Sequence, residues 1–361
     1  MMKNFIEKRL PKIETEINNL LENDIDQQWV RENIYASESW QFDKNLGVDF
    51  EFDFEVWKKS VMAPMKRILK SGGKRLRPIL TILMHEIFKG ENQEIFKLAV
   101  IPEVVHNATL MVDDIEDNST LRRGSKCAHL KYGVPIAVND ANFFYFYPLG
   151  ILDQIKCTCE QKNTLYGVFH HKMMQLHIGQ AMDIQWAVLN EFERVTRGQY
   201  LQMCAYKTGG LLSIAMQFGA IVARVNGEIL QKIDEIAIKM GLAYQIKDDI
   251  LNISENGEWG KEFGEDITEA KMTLLVIESL SRAKDKERQA LIDILQAKTH
   301  EKDKIIEAIS IMNDCGAIKE AEVLAFNLID ECKNDLVKYF PNNNDTMVLD
   351  EMLDYLIDRK K

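Results

Sequence analysis

The sequence predicts an all-α protein. Apolar residues recur at helical spacing over most of its length, strand-type alternation is nearly absent, and proline and glycine gather at a few junctions between the periodic stretches.

The segments follow in order. Residues 1 to 60 are the least regular. Asp24 to Asp53 is polar and interrupted by Trp29, Tyr35, Trp40, Phe42, Phe50, Phe52 and Phe54. It reads either as a packed extension or as a partly mobile arm. Ser71-Gly72-Gly73 is the first junction, and Lys74 to Pro78 then open a helix. Leu98 to Asp117 is apolar on nearly every side, as a central buried helix must be. Gly124, and Gly133 with Pro135, mark the next connections. Leu165 to Asp183 and Thr208 to Asn226 are helical stretches. Leu230 to Asn252 carries Leu230, Ile233, Ile236, Ala237, Met240 and Tyr244 on a helical stripe. Gly257 and Gly260, then Pro341, punctuate the rest, and Met347 to Ile357 forms a last helix. There is no internal repeat and no low-complexity tract. The expected organisation is an N-terminal extension over 1–60 and a single all-helical domain over 61–361.

Composition excludes several classes. The chain has 361 residues, 46% hydrophobic and 28% charged, which is enough apolar material for a sizeable core. A net charge of -11 argues against nucleic-acid binding, which needs a basic surface. It leaves anionic substrates open, because local basic clusters override a global sign. The six cysteines form no CxxC pair or zinc spacing, so they are expected as reduced thiols. No uninterrupted apolar run reaches the ~18 residues of a membrane span. The longest, Ala141 to Leu152, is short and contains Pro148. Met1 to Leu10 lacks an apolar signal core, and Glu14 to Asp53 is acidic, unlike a transit peptide. The expected location is cytoplasmic, with no transmembrane segment.

Two acidic clusters carry the chemistry. Asp113 and Asp117 are four apart and share a helix face, with Asp114 beside them. Gln245, Asp248, Asp249 and Asn252 share one side of the second long helix. One acidic helix end alone reads equally as a solvated terminus. Two apolar helices each ending in paired aspartates point instead to cations, since clustered carboxylates are costly unless neutralised. With no thiolate or imidazole spacing beside them, they suit a hard ion such as magnesium held partly by substrate phosphates.

Basic groups complement them: Lys74, Arg75 and Arg77; Arg122 and Arg123; Lys207 with Thr208; Lys261 and Lys271. Arginine offers bidentate phosphate contacts and lysine a point charge. Helix N-termini at Lys74 and Thr208 would add partial positive charge. His106 lies seven residues before Asp113 on the same face. It fits a satisfied core histidine and a ligand contact equally well.

The runs GGKRLRP, HNATLMVDDIEDNSTLRRG, GQAMDI, KTGGLL, YQIKDDILN and EDITEAK occur in that order. Together they resemble the motif series of the trans-isoprenyl diphosphate synthases, especially the eukaryotic-type geranylgeranyl diphosphate synthases, over residues 60 to 300. The resemblance implies the isoprenoid synthase fold, a bundle of about ten or more helices around a central apolar cavity. It implies condensation of isopentenyl diphosphate with an allylic diphosphate (dimethylallyl, geranyl or farnesyl) by a homodimer using three Mg²⁺ ions. Asp113, Asp114 and Asp117 would hold two of the ions, and Asp248 with Asp249 the third. Lys74, Arg77, His106 and Arg123 would bind isopentenyl diphosphate. Arg122, Lys207, Thr208, Gln245, Lys261 and Lys271 would grip the allylic diphosphate. Ala108 and Thr109 are small where shorter-chain relatives place aromatics, and Tyr145 and Phe146 match a tunnel floor, which implies a geranylgeranyl product. The same aromatics also suit an ordinary core.

The sequence departs from the family pattern in places. Asn252 replaces a last aspartate, as in many eukaryotic-type relatives. Ala270 replaces the glycine before Lys271, and Pro148 lies within a helix. Other readings on the same scaffold are a farnesyl or longer-chain synthase, a terpene synthase, and a non-catalytic partner subunit. Retention of Lys74, Arg77, His106 and Arg123 argues against a terpene synthase. The near-complete ligand set argues against a silent subunit. The scheme requires the two acidic helix ends to face one another across an apolar cavity.

Overall fold

The computed structural model describes residues 1–22, 25–34, 52–190, 192–254 and 263–359. The helices are α1 (Met2–Glu22), α2 (Gln27–Asn33), α3 (Phe54–Val56), α4 (Ala63–Lys70), α5 (Leu76–Ile87) and α6 (Ile95–Glu116). A two-residue hairpin follows, β1 (Leu121–Arg122) with β2 (Ser125–Lys126). Then come α7 (Ala128–Tyr132), α8 (Val134–Gln154), α9 (Cys159–Leu189), α10 (Arg197–Cys204), α11 (Gly210–Val222) and α12 (Gly227–Asn252). The last are α13 (Glu265–Thr268), α14 (Leu274–Arg282), α15 (Asp285–Ala297), α16 (Lys302–Asp314), α17 (Ala317–Tyr339) and α18 (Asn344–Asp358). The all-α expectation therefore holds.

The chain divides into two compact units. One comprises Arg9–Arg75 and Phe96–Lys156, the other Met1–Lys8, Leu76–Ile95 and Cys157–Lys361.

In the first unit α6 is the core helix. Leu98, Ala99, Ile101, Val104, Val105, Ala108 and Met111 are all buried. Among the described residues it is the one helix long and apolar enough to cross a membrane, yet 67% of its most apolar window lies inside the protein. Pro148 does not interrupt α8; its ring is buried in the helix interior. Trp29 packs on Trp57 at 5.4 Å between ring centroids, and Trp57 meets Phe143 of α8 edge-on at 5.5 Å. Phe52 joins the same group, 6.0 Å from Trp57. These aromatics of the N-terminal segment are thus packed, because aromatic edges and faces bury much area at low entropic cost. Tyr35, Trp40, Phe42 and Phe50 lie outside the described residues.

In the second unit α11 is buried along its whole length and packs against α5, α9 and α12. One expectation is corrected here. Thr208 does not sit at a helix start. Residues Ala205–Gly209 form a π-helical stretch that joins α10 to α11 without a break in the αR backbone. No free N-terminus is left to lend positive charge.

Candidate functional site

The end of α6 distributes its three aspartates unequally. Asp114 is buried and accepts hydrogen bonds from Nε of Arg122 at 2.8 Å and from its Nη2. Cys127, also buried, hydrogen-bonds to the same carboxylate; burial, reinforced by the Asp114 charge, pushes its thiol up to about 12. Burial disfavours the Arg122 cation, but the Asp114 pair outweighs it and the pKa rises. Asp113 and Asp117 remain half-buried. The hairpin β1–β2 brings Arg122 back to Asp114 only eight residues after it.

The loop before α5 is built to be rigid. Gly73 has φ +145°, and a Cβ there would lie 3.2 Å from Nη1 of Arg75 and 3.3 Å from Nη2 of Arg123, so only glycine fits without strain. Arg75 is buried. It donates to Glu14 of α1 at 2.7 Å, to Glu103 of α6 at 3.1 Å and to the Leu69 carbonyl at 2.7 Å. Glu103 also accepts from Asn107 at 3.3 Å, and the Asn107 carbonyl oxygen accepts from Nη1 of Arg123 at 3.3 Å. That nitrogen donates to the Gly72 carbonyl as well. A continuous network thus runs from Glu14 through Arg75, Glu103 and Asn107 to Arg123. Lys74 is exposed beside it. Sequence reasoning missed Glu103 and Asn107. Their i, i+4 spacing on an otherwise apolar helix was the available signal.

His106 and Thr109 are half-buried on the side of α6 that carries Asp113. The Thr109 hydroxyl donates to the His106 carbonyl at 2.8 Å. Ala108 is fully buried and, about 200° round the helix from His106, points into the core. Of the two small residues read as opening a tunnel, Thr109 alone shares the face of His106 and Asp113. Tyr145 is half-buried; burial and then the charges of Glu116 and Asp113 raise its phenol above the usual range. Phe146 is 70% exposed on another flank of α8.

The second unit repeats the acidic arrangement on α12. Asp249 is buried and both its oxygens are engaged. Oδ2 accepts from the Tyr200 hydroxyl at 2.6 Å and from the Leu274 N–H at 3.3 Å, and Oδ1 accepts from Nε2 of Gln245 at 3.0 Å. Burial, with the charge of Asp266, raises this carboxyl to about 7. Gln245 turns its carbonyl to the Thr208 hydroxyl at 3.0 Å, so its amide bridges Asp249 and Thr208. Asp248 stays half-buried and pairs with Arg359. Burial and Asp248 raise the Tyr244 phenol, against the pull of Arg359 and Arg77. Asn252 accepts the Asp266 N–H at 3.2 Å and so pins the turn into α13.

Lys207 and Thr208 owe their positions to the π-helical stretch. A Cβ on Gly179 of α9 would lie 2.8 Å from the Lys207 nitrogen, and one on Gly241 of α12 2.5 Å from Cα of Gly209. The stretch is therefore gripped at backbone contact from two helices. The Lys207 ammonium pairs with Asp183 at 2.6 Å, and Lys271 with Glu269 at 2.7 Å. Ala270 adopts φ +57°, the left-handed region in which glycine is favoured. Lys261 lies outside the described residues. Asp183 lay inside the quoted GQAMDI run without a role assigned to it, and Tyr200 and Arg359 were not singled out from the sequence, because nothing in their spacing tied them to either cluster.

No group of three or more His, Cys, Asp or Glu side chains among the described residues forms a ready-made metal cage. Asp113, Asp117 and Asp248 supply carboxylate oxygens at partial exposure. Taken unit by unit, Asp113 with Asp117 and Asp248 are each an incomplete oxygen set, which suits a magnesium ion that takes its remaining ligands from phosphate and water.

The polyprenyl synthetase family model matches residues 58–312. A short chain isoprenyl diphosphate synthase of Methanocaldococcus jannaschii is 34% identical over 277 residues, which are 75% of this chain and 83% of that protein. A geranylgeranyl diphosphate synthase of Saccharolobus solfataricus is 34% identical over 249 residues, 68% of this chain and 74% of the other. The crystal structure of a geranylgeranyl pyrophosphate synthetase from Pyrococcus horikoshii Ot3 superposes with a TM-score of 0.76 at 26% identity, covering 83% of this chain and 90% of that one. The fold is the all-α isoprenoid synthase fold.

Proposed function

The chain belongs to the polyprenyl synthetase family, whose members are trans-prenyltransferases that use divalent metal ions, and on that premise we propose that it joins isopentenyl diphosphate to allylic diphosphates and stops at geranylgeranyl diphosphate. One observation supports the site assignment above the others. Both acidic pairs are constructed alike: the second aspartate, Asp114 or Asp249, is buried and locked by hydrogen bonds, and the first, Asp113 or Asp248, is left half-buried. A locked second carboxylate fixes the helix end, and the first is presented.

In this reading Asp113 and Asp117 would hold two magnesium ions and Asp248 a third. The ions supply charge neutralisation for the departing diphosphate. Lys207, Thr208, Lys261 and Lys271 would orient the allylic diphosphate. Arg122, which fixes Asp114, and Gln245, which fixes Asp249, would join them in that role. Lys74, Arg77, His106 and Arg123 would hold isopentenyl diphosphate so that its double bond meets the allylic carbon. Positioning of this kind is worth up to ~7–11 kcal/mol. The apolar walls of α6 would keep water from the cation. Thr109 and Tyr145 would limit product length. A cytoplasmic homodimer is part of the proposal.

The test is an assay of isopentenyl diphosphate with dimethylallyl, geranyl and farnesyl diphosphate, with product chromatography. A twenty-carbon product is expected. Asp113→Ala should lower kcat about 10³-fold or more. Thr109→Phe should shorten the product, and Arg77→Ala should raise the isopentenyl KM far more than the allylic KM. No elongation from any primer would sink the function. The reverse KM pattern would sink the assignment of the diphosphate sites.

A further inference from the structure

Asp248 is already paired with a cation that the reaction scheme does not use. Arg359, the residue that ends α18, lays its side chain on α12, where it is 1% exposed. Its Nη2 donates both to the Asp248 carboxylate and, at 2.8 Å, to the Tyr244 carbonyl. The guanidinium carbon lies 3.8 Å from the Tyr244 ring centroid. An ion pair, a backbone hydrogen bond and a cation–π stack therefore fix one planar group.

Such a group has two effects on Asp248. It restricts the carboxylate to one orientation, since one of its oxygens is bound to a side chain that cannot easily move. It also sets a full positive charge at hydrogen-bond distance, where little water screens it. A divalent cation approaching Asp248 meets that charge. A diphosphate arriving with the cation brings several negative charges and reverses the balance.

We propose that Arg359 is a positioning residue that acts as the standing counter-cation of Asp248 and suppresses capture of a divalent cation there until a diphosphate is bound. The proposal rests on Asp248 facing a metal ion. It orders events at this carboxylate: diphosphate and cation enter together, and the cation alone enters poorly. Arg359 touches neither substrate nor metal in this account. It works through Asp248.

The test uses the full chain and Mn²⁺ in place of Mg²⁺, with free Mn²⁺ followed by electron paramagnetic resonance, with and without pyrophosphate. The Asp248-dependent binding is the part lost in Asp248→Asn. Without pyrophosphate, Arg359→Gln should tighten that part by about tenfold, the order expected when one nearby charge is removed. With pyrophosphate the two proteins should differ little. Arg359→Lys keeps the charge and should remain weak. Were Arg359→Gln to unfold, Arg359→Met keeps an apolar stem against Tyr244 and serves the same comparison. Unchanged or weaker Mn²⁺ binding in the uncharged variants overturns the proposal while leaving Asp248 as a metal-facing residue. If Asp248→Asn removes no Mn²⁺ even with pyrophosphate, the assignment of Asp248 falls and this proposal falls with it.

Discussion

Asp140 lies on α8 with its side chain fully buried, and neither carboxylate oxygen has a hydrogen-bond partner among the described residues. Burial alone pushes its pKa up to about 8. The folded chain therefore keeps a proton that the unfolded chain releases near pH ~4. No cost exists below about pH 4. Between about pH 4 and 8 stability falls as pH rises, and above 8 the loss is complete. Asp140→Asn removes this dependence. Its stability relative to the parent should rise by roughly 1 kcal/mol per pH unit from pH 5 to 8. Chemical denaturation at pH 5, 6.5 and 8 checks this, and a difference that does not vary with pH would refute it. Arg75 is the opposite case. Its guanidinium is deeply buried too, yet Glu14, Glu103 and the Leu69 carbonyl satisfy it. Both residues stand in apolar or basic runs of sequence that give no hint of partner or solitude. That difference was invisible before the fold was known, because it depends on what other segments bring alongside.

At the scale of elements, the π-helical stretch Ala205–Gly209 decides where Lys207 and Thr208 point. A π-turn widens the helix by about one residue per turn and is often found at functional positions. Here the close approach of Gly179 and Gly241 leaves it no room to shift. Gly241→Ala places a methyl 2.5 Å from the Gly209 backbone, which cannot yield as a side chain can. We expect a loss of about 1–3 kcal/mol in stability, read by urea unfolding, together with a raised allylic KM. Gly167→Ala in α9 meets nothing within 4 Å and should be neutral or slightly stabilising. Equal losses in both would show that the close approach is not what makes Gly241 necessary. The KTGGLL run marked the place, but spacing alone suggested a helix start there. A continuous αR backbone through a π-turn has no sequence signature that distinguishes it from a fresh helix.

For the whole molecule, the incomplete carboxylate sets make a thermodynamic prediction. A cation that draws half its ligands from phosphate binds the protein poorly without it. Mg²⁺ alone should move the melting temperature little, and Mg²⁺ with pyrophosphate should raise it by several degrees through mass action on the folded state. Thermal scans of the full chain decide this. A full shift with Mg²⁺ alone would mean that the protein by itself completes a metal cage, contrary to the geometry. A prenyltransferase that ionises an allylic diphosphate has a physical reason for such dependence: without the diphosphate, a cation held by a few carboxylates lacks the phosphate oxygens that complete its coordination.

The chain's order of residues determined the helical architecture and the family, and it singled out the carboxylates and cations that the proposed chemistry uses. Helical periodicity and local motifs are properties of neighbours in sequence, so they can be read there. Tertiary structure alone decided which member of each aspartate pair is locked inward. It alone decided that Ala108 turns into the core while Thr109 stays on the His106 face, and that Arg359 rests on Asp248 from 111 residues away. Burial and long-range pairing depend on how separate helices pack against one another, and the free energy of a charge depends on what that packing sets beside it.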